Sequence, residues 1–583
     1  MTHRRVFRPQ WLVVALAAVL VLGGCASVPS SGPVEQVSPN VPQTQDNGVR
    51  IDPEAPRPDA TPERIVAGFL SAMASLQPGF SVAKLYLTDA ARRAWDPSNG
   101  TTIIDSTGQR LIATATSEVL DAPIVGQLSS IGQYQSVTGE FRHDFALTKV
   151  GGQWRISSPP QGLVITTTTF ASYYVPMERY FLTADGAHVV PETLRVPASV
   201  FSPTAAITAL LRGPSSWLGA AVSSAVPAGT RLAGGTVTVG ISGVADVDLD
   251  LSASSLPDTQ RKLLAAQLAW TLKQFSAVQS VQLAARGQPL DVPSLAPHGV
   301  MALSGYLPAP PVDDTPSVLV VSRDAHLGQL DPTSGAFTAF KGGLAKVDAR
   351  HITALAAGRS GELLAWTEGG TVWRGTIDRT IAVYHGASLG RPQVTPDGTI
   401  WCTDVANGAP RLVRIASDGS VSIIPLSSQP RGPVMAYAVS PDRTRVALVV
   451  GSSDGTSRMG LVSLTSGAHP TTHGWYETRM SASQTGAMAL ITDVAWSTPS
   501  QLVVLAGATS SPRTGAYGVS DDAATVTALG PADNADPLRL VVHARLDSPT
   551  VMIVTSAGQV QEIEDAWRWR TVASGIGLAA LSD

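Results

Sequence analysis

The chain has 583 residues, with 53 Gly, 42 Pro, 44% hydrophobic and only 15% charged residues. That balance excludes a wholly disordered chain, and the lack of a three-residue glycine period excludes a collagen-like one. A formal net charge of −4 argues against a nucleic-acid binder, and two cysteines exclude a disulfide framework. At about 150 residues per domain, three to four folded units are expected, rich in strands and turns.

The chain opens with His3, Arg4, Arg5 and Arg8, followed by an apolar run over residues 11–22. That run is too short for a spanning helix, which needs about 20 residues, and reads as a secretory signal. It ends in Leu22-Gly23-Gly24-Cys25, which resembles the bacterial lipobox. The resemblance makes residues 1–24 a cleaved signal peptide and Cys25 the diacylglycerol acceptor. An ordinary signal with an incidental cysteine is the alternative. Cleavage removes three arginines, so the mature chain carries about −7. Cys402 then has no partner and reads as a small hydrophobe within a strand.

Residues 25–60 carry prolines from Pro29 to Pro58 among Ser, Gln and Asn, with no hydrophobic period. They read as a tether, able to extend about 110 Å as polyproline II. The first folded unit is expected over 61–168. Thr61 is a suitable N-cap before Pro62, and Ile65, Phe69, Ala72, Met73 and Leu76 follow at helical spacing. A second helical stretch is expected over 82–95, then strands over 111–124, 126–143 and 144–157. Helices followed by an antiparallel sheet closing on "GGQWRI" (151–156) resemble the NTF2-like α+β cone. Trp154 is expected to anchor its core.

The second unit is expected over 169–296. Two apolar strands flank Asp185-Gly186, a strong hairpin signal. Ser202-Pro203 starts a helix ending near Gly213-Pro214. "AVPAGTRL" (225–232), "GVADVDLDLS" (243–252), a helix over 257–275 and "VQSVQLAARGQPL" (278–290) follow. This order resembles the GerMN domain, also α+β, which implies an extracytoplasmic interaction module.

The third unit, 300–583, is repetitive. "AAGRSGELLAW" (356–366), "VTPDGTIWCT" (394–403), "VSPDRTRVALV" (439–449), "AWSTPSQLVVL" (495–505) and "ARLDSPTVMIV" (544–554) each join a turn to an apolar strand. Their turn anchors, Gly361, Gly398, Arg443, Pro499 and Pro549, recur at roughly the 40–50 residues of a propeller blade. With an earlier strand pair at 317–321 and 327–331, six blades fit, or seven if some are degenerate. A β-sandwich is the alternative architecture. Trp366, Trp373, Trp401, Trp496, Trp567 and Trp569 are expected between blades rather than in a binding cage.

No catalytic constellation emerges, and no cofactor is expected. Ser81-Val-Ala-Lys84 lacks the partner motifs of penicillin-recognising enzymes. His469 and His473 have metal-ligand spacing, but Pro470 breaks the helix they would need. Gly575-x-Gly577-x-x-Ala580 leaves too little chain for a dinucleotide-binding helix. Asp246, Asp248 and Asp250 fall on one strand face and are the weak candidates for a hard cation such as Ca²⁺. A solvent-facing stripe opposite Val247, Leu249 and Leu251 is the reading preferred here.

Taken together, the lipobox, tether, NTF2-like cone, GerMN module and propeller resemble the actinobacterial LpqB lipoprotein family. The firmest motifs are Leu22-Gly-Gly-Cys25, "LLRGPSSWL" (210–218) and "GVADVDLDLS". The resemblance implies a non-enzymatic, lipid-anchored protein on the extracytoplasmic face of the cell membrane. It also implies a partner, the extracytoplasmic domain of a sensor histidine kinase of the MtrA–MtrB two-component system, with effects on cell-wall homeostasis, division and motility. The competing expectations are a module that binds cell-wall glycan and, behind it, a propeller-based hydrolase.

Overall fold

The computed structural model describes residues 53–582, apart from 77, 115–116, 252–255, 295–298, 304–308, 313–316, 468, 483–485, 509–510, 531–535 and 566–567. The signal, Cys25, most of the tether and Trp567 lie outside the described residues. The described residues belong to one compact unit. Among them, no helix is long and apolar enough to cross a membrane.

The first module is an α+β unit, helices packed on one sheet, as expected of the α+β reading. Thr61 caps helix Pro62–Ala74 by accepting the Arg64 N–H, and Pro62 takes the first helical position. The helix buries Ile65, Val66, Phe69, Ala72 and Met73 against a seven-stranded sheet. Its longest strands are Ser117–Leu128 and Gly139–Val150. The stretch expected as one helix over 82–95 is two short ones, Ser81–Leu85 and Asp89–Ala94. Thr88 ends the continuity: it stays extended, and its hydroxyl caps the second helix by accepting the Ala91 N–H. Phe69, Trp95 and Phe145 form the aromatic centre through edge-on contacts. Trp154, expected as the anchor, is only half-buried on that core, with the Lys149 ammonium over its ring. Its strand is the last of the sheet path, so one ring face has no strand beyond it.

The second module pairs Tyr174–Thr183 with Val189–Pro197 around the Asp185-Gly186 turn. Gly186 takes φ +68°, and the Asp185 carboxylate accepts from the Thr183 hydroxyl and the Ala187 N–H. Helices Pro203–Leu211 and Asp258–Leu272 pack with this hairpin and with a second sheet in one continuous core. In that sheet Val244–Leu249 runs parallel to Ser280–Ala285. Val300–Ala302 pairs with Ser280–Ala285 in the same sheet. The propeller range expected from 300 therefore opens too early, because the apolar Met301 completes the second module's core.

The propeller's described residues form six sheets, not seven. Blade 1 holds Leu319–Arg323, His326–Leu330 and Phe337–Ala339. Blades 2 to 6 begin at Ala354–Ala357, Gln393–Val394, Val434–Val439, Gly486–Thr498 and Pro537–His543. The C-terminal strand Leu578–Leu581 closes the ring by pairing antiparallel with Leu319–Arg323 as the innermost strand of blade 1. Each of the six junctions between neighbouring blades has its own apolar cluster. Strand alternation supplies both sides: Trp401 packs toward blade 4 and Cys402 toward blade 2. Burial pushes the Cys402 thiol up to about 12, so it serves as packing and not as a nucleophile. Trp366, Trp401, Trp496 and Trp569 are all buried in these junctions.

Candidate functional site

All five turn anchors read from the sequence fall in the hairpin between the first and second strands of a blade. In blades 3 and 4 the same turn recurs. Asp397 accepts from the Thr395 hydroxyl and the Thr399 N–H; Asp442 accepts from the Ser440 hydroxyl and the Thr444 N–H. The next residue is left-handed in both, Gly398 at φ +78° and Arg443 at +58°. A non-glycine there costs about 1–2 kcal/mol, and Arg443 offsets this by pairing with Asp397 of the neighbouring blade.

These turns ring one mouth of the central channel, and the second module's hairpin sits over it. Between them lies a cavity of about 300 Å³ bordered by His188, Arg359, Asp397, Arg443 and His543, with prolines between. His188 Nδ1 lies 3.2 Å from the Ala309 carbonyl, which only accepts, so Nδ1 carries the proton. The channel itself is narrow, about 110 Å³. Arg391 crosses it, donating to Asp493 at 2.9 Å and to the Leu540 carbonyl at 3.2 Å.

The densest polar chemistry is the seam joining the second module to blades 4 and 5. Arg195, on Val189–Pro197, makes a two-pronged bond to Asp522 at 2.7 and 2.9 Å and also reaches Ser520. Its backbone N–H donates to Gly132 of the first module at 2.7 Å. Gly132 sits at φ +86°, and a Cβ there would lie 2.7 Å from the Arg195 carbonyl oxygen. One residue thus touches all three modules. Arg445 is fully buried and donates to Asp521 and Asp442, and to the Pro499 and Pro191 carbonyls. Its guanidinium also lies 4.8 Å over the Trp496 ring. Nearby, Ser500 donates to Glu178 at 2.7 Å, and Trp217 stacks on Tyr476 at 5.2 Å.

Within the second module, Arg179 and Glu192 oppose each other across the hairpin as a buried pair at 2.8 Å. Arg179 also donates to the Ala209 and Gly213 carbonyls, and Glu192 accepts from Ser215 N–H. The "LLRGPSSWL" motif is therefore a cradle for this pair, and its tryptophan reaches the propeller.

The pKa directions follow from this crowding. Burial, and then the like charges of Asp522 and Glu178, push the Asp521 carboxyl up to about 7 against the pull of Arg445. Burial acts on Asp442 and Asp522 too, but Arg445 and Arg195 hold them below the usual carboxylate range.

Asp246, Asp248 and Asp250 do share one face of the Val244–Leu249 strand and its continuation, opposite the buried Val247, Leu249 and Leu251. Each answers to a different donor: Thr238 hydroxyl, Gly287 N–H and Arg286 guanidinium. Among the described residues, no group of three or more His, Cys, Asp or Glu side chains is placed to hold a metal ion. Ser81 starts a five-residue helix, His473 lies exposed on a strand bonded to Thr471, and Ala580 belongs to the ring-closing strand. Sequence reasoning missed Arg195, Arg445, Asp521 and Asp522. Their only signal was an arginine or aspartate standing within an apolar strand or turn.

Three family profiles match the chain in order: Lipoprotein LpqB, N-terminal domain, over residues 55–171; Sporulation and spore germination, over 178–291; and Lipoprotein LpqB beta-propeller domain, over 328–579. The Lipoprotein LpqB of Cutibacterium acnes is 30% identical over 607 residues, covering 99% of each chain. The chain belongs to the LpqB lipoprotein family. Another LpqB, from Mycolicibacterium smegmatis, is 27% identical and covers 75% of this chain and 78% of its own. Among solved structures, the first GerMN domain of the sporulation protein GerM from Bacillus subtilis is 27% identical, covering 23% of this chain and 96% of its own, with a TM-score of 0.18. TolB from Acinetobacter baumannii is 13% identical over 46% of this chain and 66% of its own, with a TM-score of 0.33. In this chain, the seam just described is where residues of all three matched segments meet.

Proposed function

We propose that this chain is a lipid-anchored protein on the extracytoplasmic face of the cell membrane. Its role is to regulate a sensor histidine kinase of the MtrA–MtrB type by binding the kinase's extracytoplasmic domain, and so to influence cell-wall homeostasis and division. Whole-length membership of a lipoprotein family and the lipobox ending at Cys25 support the anchor. The observation that carries the binding reading is the contact of all three modules at Arg195, which makes them one body with a composite surface. Tethering at the membrane raises the effective concentration of such a body beside a receptor. Regulation then requires unequal affinity for two kinase conformations, since equal affinity shifts no equilibrium.

The test is to place the purified kinase in vesicles and add the lipidated chain. Binding should accompany a change in autophosphorylation rate. Neither binding nor a rate change would overturn the kinase assignment. A second reading, capture of a cell-wall glycan, is favoured by the half-open cavity under the His188 hairpin. It requires retention of the chain on purified wall and weaker retention after Arg443→Ala.

A further inference from the structure

Five carboxylates and three guanidiniums meet in and beside the seam between the second module and the propeller. The hairpin brings Glu178, Glu192, Arg179 and Arg195; blade 4 brings Asp442 and Arg445; blade 5 brings Asp521 and Asp522. Apart from Glu178, all these side chains are buried. Arg179 is committed to Glu192, and Arg195 to Asp522. Arg445 is divided between Asp442 and Asp521, at 2.8 and 3.0 Å. Asp442 is also held by the Ser440 hydroxyl and the Thr444 N–H, whereas Asp521 has only its share of Arg445, one buried oxygen without a hydrogen-bond partner, and a second carboxylate, Asp522, as its sequence neighbour. Tyr180 and Tyr476 also belong to this region, and both phenols are held above their usual range by burial first and nearby carboxylates next.

A buried excess of negative charge is costly, and binding a proton removes it. We propose that the seam is a proton-operated latch, in which protonated Asp521 holds the second module on the propeller and ionised Asp521 loosens it. The sign follows from linkage. Undocked, Asp521 returns to the ordinary carboxylate value of about 3.9; docked, it titrates near 7. Docking is then strongest below the lower value, as far as Asp521 is concerned, and weakens as pH rises through the upper one. The Asp522–Arg195 pair works in the opposite sense, because its lowered carboxyl loses the pair only in acid. The latch is thus tightest in mildly acidic medium. This does not depend on the kinase reading, since it concerns contacts within the chain.

The test is amide hydrogen exchange on the full mature chain at about pH 5.5 and about pH 8, corrected for intrinsic exchange. The junction of blades 1 and 2 serves as the internal reference. Protection of Val189–Pro197 and of the 521–525 turn should fall about tenfold or more at the higher pH, the effect of at least one unit of pKa difference. Asp521→Asn, a fixed stand-in for the protonated acid, should abolish the fall. Glu178→Gln, which removes a like charge, should move the midpoint to lower pH. A pH-independent wild type overturns the proposal, as does an unchanged fall in Asp521→Asn or an unmoved midpoint in Glu178→Gln. If Asp521→Asn fails to fold, the Glu178→Gln midpoint decides.

Discussion

Arg195 shows how much a single side chain can decide. It lies within an almost wholly buried strand, where an arginine is stable only if its charge is answered at once. Asp522 answers it, and the backbone of the same residue receives the first module through Gly132. Arg195→Ala leaves Asp522 buried without its cation and is expected to destabilise by about 3–5 kcal/mol. Replacing the pair together, as Arg195→Met with Asp522→Leu, should recover much of that loss. Urea unfolding followed by tryptophan fluorescence separates the two outcomes. At the other end of the chain, Cys25→Ser removes the proposed lipid acceptor. The substituted chain is expected in the soluble fraction after cell breakage, and quantitative retention in the membrane fraction would rule out Cys25 as the dominant anchor.

At the scale of elements, the repeat of turn and apolar strand is what makes the propeller readable. Ser/Thr-x-Asp turns close locally, through bonds spanning two residues, so they leave the same trace in the sequence each time. The first hairpins of blades 3 and 4 were visible for this reason, and those of blades 2, 5 and 6 through the apolar strand that follows each Gly- or Pro-containing turn. Blade 1 was only half-visible, since its innermost strand comes from the C-terminal end of the chain, more than 250 residues away. No local pattern announces such a pairing. Deleting residues 578–583 removes that strand and leaves the edge of Leu319–Arg323 without its partner. The deletion is expected to lower the midpoint of thermal unfolding and expose an edge prone to aggregation, measured by circular dichroism and light scattering. An unchanged melt would show that the ring does not depend on this closure. The helix expected over 82–95 illustrates the opposite limit: apolar spacing continued through Thr88, while the chain used that residue as a cap.

For the whole molecule, length, low charge and repeated turns already determined a chain of α+β modules followed by a propeller. They did so because caps, hairpin turns and alternation are local, each set by a few adjacent residues. The three-aspartate face was also legible, since strand periodicity alone places Asp246, Asp248 and Asp250 together. What only the tertiary structure decided was the joining of the modules. The partners in that seam lie hundreds of residues apart, as Arg195 and Asp522 do. Their carboxylates and guanidiniums look in the sequence like ordinary surface charge. Burial turns them into a closed electrostatic system with carboxylates in excess of guanidiniums, and burial is a property of packing rather than of composition.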